Sequence, residues 1–136
     1  MNKKYYSVLD ISILDILPQR FQIQILENYL NNISGSSVFY TIESINSRDK
    51  QSILKRKLTE KPQVDGFIFY SLIQFCYSKN INMKLISEIL NSSYELIFYR
   101  EEIHLKNKLD LKKNEKKIKL FYFNNKEIVY KFSNLI

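Results

Sequence analysis

Two glutamates are the residues of this chain best suited to proton transfer. Glu43 comes directly after the second predicted strand, and Glu101 follows the fourth. In a parallel sheet the carboxyl ends of the strands share one edge, where ligands bind near a switch in strand order. Two carboxylates brought together there could act as a general acid and a general base. The alternative is structural, because such residues more often cap helices or pair with arginine.

Seven further side chains fall at the same predicted edge and are candidates for ligand binding. They are Ser7, Gln19, Arg20, Gln22, Tyr70, Ser71 and Gln74. Arg20 lies near the start of the first predicted helix, where unpaired backbone N–H groups favour anions, and we expect it to hold a carboxylate or phosphate. Its alternatives are a solvated surface position or an ion pair with Glu101. For Tyr70 the competing interpretation, a place in the core, is the stronger one.

The residue inventory excludes several kinds of chemistry. His104 is the only histidine and Cys76 the only cysteine, so a zinc site of the usual Cys/His kind lacks ligands. A Ser-His-Asp or Cys-His catalytic group would need His104, which lies in a charged segment. Gly35 and Gly66 are the only glycines, so the glycine-rich phosphate-binding motifs are absent from the sequence. We therefore expect no metal and no cofactor.

Four short strands are predicted to position these candidates. They are Lys4–Val8, Ser37–Ile42, Asp65–Tyr70 and Tyr94–Tyr99. The strand starts are 33, 28 and 29 residues apart, and each interval holds one amphipathic helix, which is the size of a βαβ unit. The third strand is apolar on both faces, which is typical of the centre of a parallel sheet. We therefore predict a three-layer α/β fold, with a parallel sheet of order 2-1-3-4 and helices on both faces.

The C-terminal segment 103–136 is rich in lysine and has a different pattern. Ile118–Phe123 and Glu127–Phe132 are aromatic and β-branched, and they flank Asn124-Asn125-Lys126. This arrangement predicts a C-terminal β-hairpin that extends a single domain covering residues 1–136. Because such a hairpin would expose a large apolar surface, we expect the protein to form a homo-oligomer through it.

Composition bounds the partners and the compartment. The chain has 136 residues, of which 45% are hydrophobic, so it can form one domain with a real core. Its formal net charge of +7 permits a nucleic-acid partner. The explanation of this charge that we favour is that Lys and Asn are frequent throughout the chain. Asp10 and Asp15 interrupt the first apolar run, which argues against a signal peptide. No window is long and apolar enough for a membrane span, and we expect a cytoplasmic protein.

Three motifs occur together in this chain. They are L-P-Q-R-F-Q at 17–22, D-G-F-I-F-Y-S-L-I-Q at 65–74 and F-Y-R-E at 98–101. With Tyr29 and Glu43, they resemble the sporadic carbohydrate cluster protein family, small bacterial proteins encoded in surface-polysaccharide gene clusters. The matching residues are Pro18, Gln19, Gln22, Glu43, Asp65, Gly66, Tyr70, Ser71, Gln74 and Glu101. Ser44 and Cys76 depart from the family pattern, which has Tyr and Pro at these places.

The resemblance implies a role in the biosynthesis of a bacterial surface carbohydrate, such as capsule, O-antigen or another glycan. It defines no reaction, so whether the protein is an enzyme stays open. The expected ligand is an anionic or nucleotide-linked sugar, bound at the carboxyl ends of the strands with Arg20 on the anion. The amides and hydroxyls named above would bond to sugar hydroxyls, since a sugar needs many hydrogen-bond partners in a concave site.

A broader resemblance is to the catalytic domain of serine recombinases. The shared features are a first strand ending near Ser7, a glutamine-rich helix, a strand followed by Glu43, and an S-L pair after the third strand. In that comparison Ser7 falls near the nucleophile, but Ile73, Gln74 and Phe75 stand where a recombinase has arginines. Without cations to stabilise the phosphoryl oxygens we expect no DNA cleavage. The alternative function is therefore a non-catalytic module that binds nucleic acid or docks on a protein.

Overall fold

The computed structural model describes residues 2–43, 51–77 and 80–133. Within these ranges the strands are β1 Lys3–Leu9, β2 Gly35–Ile42, β3 Gly66–Phe69, β4 Cys76–Tyr77, β5 Asn80–Ile81, β6 Glu95–Phe98 and β7 Ile103–Leu105. The helices are α1 Gln19–Asn32, α2 Ser52–Thr59, α3 Met83–Asn91 and α4 Lys108–Ser133. Two short 3-10 helices, Ile11–Ile13 and Leu72–Phe75, follow β1 and β3. Ser44, one departure from the family pattern, lies outside the described residues.

The main sheet is mostly parallel, which confirms the α/β prediction. Five strands pair in the order β2-β1-β3-β6-β7. The pairs β1–β2, β1–β3 and β3–β6 are parallel, and they involve the four strands expected from the sequence spacing. The sheet differs from the prediction at its edge, where β7 adds an antiparallel fifth strand to β6. Strands β4 and β5 form a separate antiparallel pair.

Helices cover both faces of this sheet, because successive strand residues point to opposite sides. The residues that pack together on one face, including those of α1, are Tyr5, Leu9, Leu26, Leu30, Ile68 and Ile97. On the other face Phe67, Phe69 and Phe98 pack with buried side chains of α2, α3 and α4. The larger of the two cores is the one on this second face.

Gly66 is needed where β3 passes close to β6. A Cβ atom at Gly66 would lie 2.5 Å from the backbone O of Glu95, closer than side chains approach a backbone. At Gly35 a Cβ atom would instead lie 3.0 Å from the ring of Tyr5. Gly35 is the first residue of β2, and the left-handed conformation that ends α1 belongs to Ser34, whose φ is 59°.

The C-terminal segment is helical, so the β-hairpin predicted there is wrong. Helix α4 runs through both predicted strands, from Lys108 to Ser133. Asn107 stabilises its start, because Asn107 Oδ1 accepts a hydrogen bond from the Asp110 backbone N–H at 2.9 Å. Leu111 and Ile118 are buried in the larger core. Their seven-residue spacing corresponds to two helical turns, so burial of this stripe outweighs the strand preference of the aromatic residues that follow.

Two expectations about this segment change with the correction. Antiparallel pairing does occur, but earlier in the chain, between β6 and β7. Residues 134–136 lie outside the described ranges. Self-association stays a prediction, but the hairpin to which it was assigned is not formed.

No helix in the described part of the chain is long and apolar enough to cross a membrane.

Candidate ligand-binding site

Glu43 stabilises the start of helix α2. Its carboxylate accepts hydrogen bonds from the backbone N–H groups of Ile53, at 2.7 Å, and Leu54, at 3.3 Å. These groups belong to the first turn of the helix, where backbone donors have no partner within the helix. The side chain is buried. Glu43 therefore has the capping geometry that the sequence left open as the alternative to proton transfer.

Glu101 makes the equivalent contact with the 3-10 helix that follows β3. Its two carboxylate oxygens accept from the Ser71 hydroxyl and from the Leu72 backbone N–H, both at 2.7 Å. Burial raises the pKa of Glu101 above its usual range, although both hydrogen bonds and the charge of Arg100 oppose this effect. Glu101 and Glu43 thus bind different elements, so the structure does not bring them together as a carboxylate pair.

Two glutamines join loops to the end of β1. Gln22 is fully buried, and it exchanges hydrogen bonds with the backbone N–H and carbonyl of Asp10, at 2.7 and 2.9 Å. Gln74 donates to the carbonyls of Val8 and Leu9 at 3.1 and 3.2 Å, and accepts from the Ser71 N–H at 3.0 Å. Both amides act as bridges within the fold, so neither has a side chain directed toward a ligand.

Ser7 and Ser71 are also inside the protein. Ser7 is fully buried within β1, and its hydroxyl lies 2.7 Å from the hydroxyl of Ser37 on β2. Ser71 is fully buried beside Glu101. A hydroxyl shielded from solvent in this way has no access to a phosphodiester. Ser7 is therefore not placed as an accessible nucleophile in this structure, and the absence of DNA cleavage stays a prediction.

A small cavity lies at the carboxyl ends of β1 to β3. Its volume is about 20 Å³, and its lining includes Asp10, Glu43, Gln51 and Gln74 among apolar side chains. That volume suits a single water molecule and is far too small for a sugar. A ligand of the expected size must therefore bind outside this cavity.

Three tyrosines form a row from α1 across the ends of β6 and β3. The ring centroids of Tyr29 and Tyr99 are 5.6 Å apart and meet edge to face, and those of Tyr99 and Tyr70 are 5.7 Å apart. All three side chains are half-buried. Burial raises the pKa of Tyr29 and Tyr70, so both hydroxyls stay protonated near neutral pH and can donate hydrogen bonds. We call Tyr29, Tyr70 and Tyr99 the tyrosine row.

Arg100 provides positive charge at one end of the tyrosine row. Its side chain is exposed, and its backbone N–H donates to the Tyr70 carbonyl at 3.0 Å. Arg100 is close enough for its charge to lower the pKa of Tyr70, against the larger effect of burial. Arg20 and Gln19 are also exposed at the start of α1. The guanidinium of Arg20 lies 4.8 Å from the centre of the Phe21 ring.

The structure thus separates the nine candidates into two groups. Six are buried or bound within the fold, namely Ser7, Gln22, Glu43, Ser71, Gln74 and Glu101. Gln19, Arg20 and Tyr70 keep contact with solvent. The rule of strand ends also points to Arg100, which follows the fourth strand, although no ligand contact was assigned to it. Tyr99 was not among the candidates, and the same rule could have found it, because it follows β6 as Tyr70 follows β3.

The known proteins add no functional information to this site. Comparisons of the chain with protein-family models, with curated proteins and with solved structures each found no match. Among the described residues, no group of three or more Cys, His, Asp and Glu side chains could hold a metal ion. The tyrosine row and Arg100 therefore carry the functional argument.

Proposed function

We propose that this protein binds an anionic or nucleotide-linked sugar on the tyrosine row, with Arg100 holding the phosphate or carboxylate. The observation that carries the proposal is a row of half-buried aromatic rings ending beside an exposed guanidinium, at the carboxyl edge of a parallel sheet. Aromatic faces pack against the C–H faces of a sugar ring, and the tyrosine hydroxyls bond to its hydroxyls. The guanidinium forms paired hydrogen bonds with phosphate or carboxylate oxygens.

The wider role is surface-carbohydrate biosynthesis in a bacterium, a proposal that rests on the resemblance of the three sequence motifs. The protein would act there as a sugar-binding accessory or as an enzyme. For an enzyme, Glu101 is the acid–base candidate. It follows Arg100 directly, and its half-buried carboxyl has a pKa raised by burial, the direction expected for a carboxyl group that must carry a proton.

A thermal-shift screen of nucleotide-linked and free acidic sugars tests the proposal. A ligand at a hundred times its dissociation constant stabilises the folded state by about 2.7 kcal/mol, so a true ligand gives a clear increase in melting temperature. We expect Arg100→Gln and Tyr70→Ala to abolish the increase. Arg56→Gln is the matched control, because Arg56 is an exposed arginine on α2.

Arg20, at the start of α1, gives the screen a second arm. If Arg20→Gln removes the increase and Arg100→Gln leaves it, the anion binds at the start of α1 and the tyrosine row is not the site. If no sugar changes the melting temperature of the wild-type protein at all, the sugar-binding proposal is wrong.

A second proposal is a non-catalytic docking module with a recombinase-like fold. The burial of the Ser7 hydroxyl supports the non-catalytic part of this proposal. A module of this kind would give no shift with any sugar and would bind a macromolecule through an exposed charged surface. Helix α4 carries such a surface.

A further inference from the structure

The outward face of helix α4 carries large apolar side chains. Leu111 and Ile118 on the inward face are buried in the core. On the opposite face Leu109 and Leu120 are each 60% exposed and Phe123 is 65% exposed. At about 100° per residue, these three side chains fall within an arc of about 60°. Leu120 and Phe123 are about one turn apart, whereas Leu109 lies about 16 Å away along the helix axis. The exposed Lys116 falls within the same arc between Leu109 and Leu120, so the apolar stripe that these three side chains form is interrupted.

Lysines border this stripe on both sides. The exposed lysines in the first three and a half turns are Lys108, Lys112, Lys113, Lys116, Lys117 and Lys119. The acidic side chains described in α4 are Asp110 and Glu115, and both are half-buried. Glu115 is moreover paired with Lys119 at 2.8 Å. The outward face of α4 therefore combines exposed apolar side chains with lysines that lie among and beside them.

We propose that α4 binds the surface of an anionic lipid bilayer and lies in the plane of the membrane. Leu109, Leu120 and Phe123 enter the boundary between headgroups and acyl chains. The lysines beside them extend along this boundary, with their ammonium groups at the lipid phosphates. A basic helix with an apolar stripe is typical of such surface-bound helices. This inference is independent of the sugar site, which lies at the carboxyl edge of the sheet.

Nucleic acid fits the same face less well. The sequence of α4 contains no arginine, although arginine is the preferred side chain for paired contacts to phosphate and bases. Two of the three apolar residues are leucines, which cannot stack on bases as aromatic rings do. A phosphate backbone therefore neutralises the lysines but leaves Leu109, Leu120 and Phe123 without a partner. A bilayer matches both the charge and the apolar stripe.

Sedimentation of the full-length protein with lipid vesicles tests the proposal. We expect binding to vesicles of phosphatidylcholine mixed with phosphatidylserine, and little binding to phosphatidylcholine alone. Leu120→Gln and Phe123→Gln keep helix propensity, and each should weaken binding about tenfold. Lys112→Gln and Lys116→Gln should each weaken it about fivefold and make it less sensitive to salt.

Matched variants elsewhere show whether the effect belongs to α4. Ile16 is 86% exposed in the turn before α1, so Ile16→Gln removes an exposed apolar side chain without touching the helix. Lys55→Gln with Arg56→Gln removes two exposed positive charges from α2. We expect both controls to bind vesicles as the wild type does. Melting temperatures of all variants show that the fold is kept.

Three results would overturn the proposal. The first is no binding to anionic vesicles at low salt. The second is binding that Leu120→Gln and Phe123→Gln leave unchanged, since a bilayer must recognise the apolar stripe. The third is displacement from the vesicles by single-stranded polynucleotide together with polynucleotide affinity that these two variants retain. That result would assign the face to nucleic acid.

Discussion

The two ends of strand β6 place carboxylates in opposite environments. At the N-terminal end, Glu95 accepts a hydrogen bond from Lys3 Nζ at 2.5 Å and lies 2.6 Å from His104 Nε2. Burial raises the pKa of Glu95, but the hydrogen bonds and charges of Lys3 and His104 outweigh burial, and the pKa falls below its ordinary value of 4.5. This carboxylate is stabilised in its ionised form by Lys3 of β1 and His104 of β7.

Beyond the C-terminal end of β6, burial dominates. Glu101 accepts from neutral donors, the Ser71 hydroxyl and the Leu72 N–H, and the charge of Arg100 adds a smaller contribution. These do not offset the loss of water, so the pKa of Glu101 is raised. The comparison shows that Lys3 and His104 favour the ionised form of Glu95, whereas the neutral donors to Glu101 do not offset its burial. Under the proposed function, the second edge is the one suited to proton transfer.

The largest loss of stability is expected from Gly66→Ala, which disturbs the N-terminal end of β6. The new Cβ would lie 2.5 Å from the backbone O of Glu95, so β3 and β6 must move apart. We expect a loss of about 3 kcal/mol in the free energy of unfolding, measured by urea denaturation. Gly35→Ala is the control, because its Cβ meets the Tyr5 ring at 3.0 Å and should cost about 1 kcal/mol. Equal losses of unfolding free energy in the two variants would contradict the close approach of β3 to β6 at Gly66.

Ser71→Ala sharpens the comparison at the C-terminal end. It removes a donor to Glu101 and the acceptor of the Ile73 N–H at 3.1 Å. We expect a loss of about 1–2 kcal/mol and a further rise in the pKa of Glu101, measured by NMR titration of its carboxyl carbon. Ser92→Ala is the control, since the exposed Ser92 hydroxyl donates only to the Glu88 carbonyl, and its loss should be small. An unchanged titration of Glu101 in Ser71→Ala would refute the assignment.

Lys3→Ala weakens the cationic environment of Glu95. The Lys3 hydrogen bond is the largest contribution that lowers the pKa of Glu95, so we expect this pKa to rise in the variant. Because the Lys3 side chain is about half exposed, the loss of stability should be about 0.5–1 kcal/mol. Lys57→Ala is the comparison, since Lys57 and Glu60 are 3.8 Å apart at the surface. If the two variants are equally stable, the Lys3–Glu95 pair contributes no more than an ordinary surface pair.

The smallest effects are in the dependence of stability on pH, where the two carboxylates have opposite signs. The lowered pKa of Glu95 gives stability that is present above 4.5 and is lost as pH falls through the folded-state pKa. The raised pKa of Glu101 gives a cost that appears as pH rises from 4.5 through its folded-state pKa. Relative to wild type, Glu95→Gln should therefore recover at acid pH, and Glu101→Gln should improve as pH rises. Parallel pH profiles for both variants would show that the two ends do not differ.

The fold was largely predictable from the chain, because each of its signals is local. Strand spacing near thirty residues, with one amphipathic helix in each interval, permits few arrangements other than a parallel sheet with right-handed crossovers. The C-terminal segment was not predictable in the same way. The aromatic run Ile118–Phe123 favours a strand by local preference, and only the core that receives Leu111 and Ile118 makes the helix more stable.

The candidate site likewise has one part that the sequence predicts and one part that only the tertiary structure determines. That Glu43, Gln74 and Glu101 stand at the carboxyl edge follows from the positions of the strand ends in the sequence. Which backbone groups they bind does not, because the unpaired N–H groups of α2 and of the 3-10 helix at Leu72–Phe75 come close only after the chain has folded. A buried acceptor is strongly stabilised by the nearest unpaired donor. Tertiary structure therefore made these polar side chains part of the scaffold, and left the half-buried tyrosine row and the exposed Arg100 in contact with solvent, where we propose that the ligand binds.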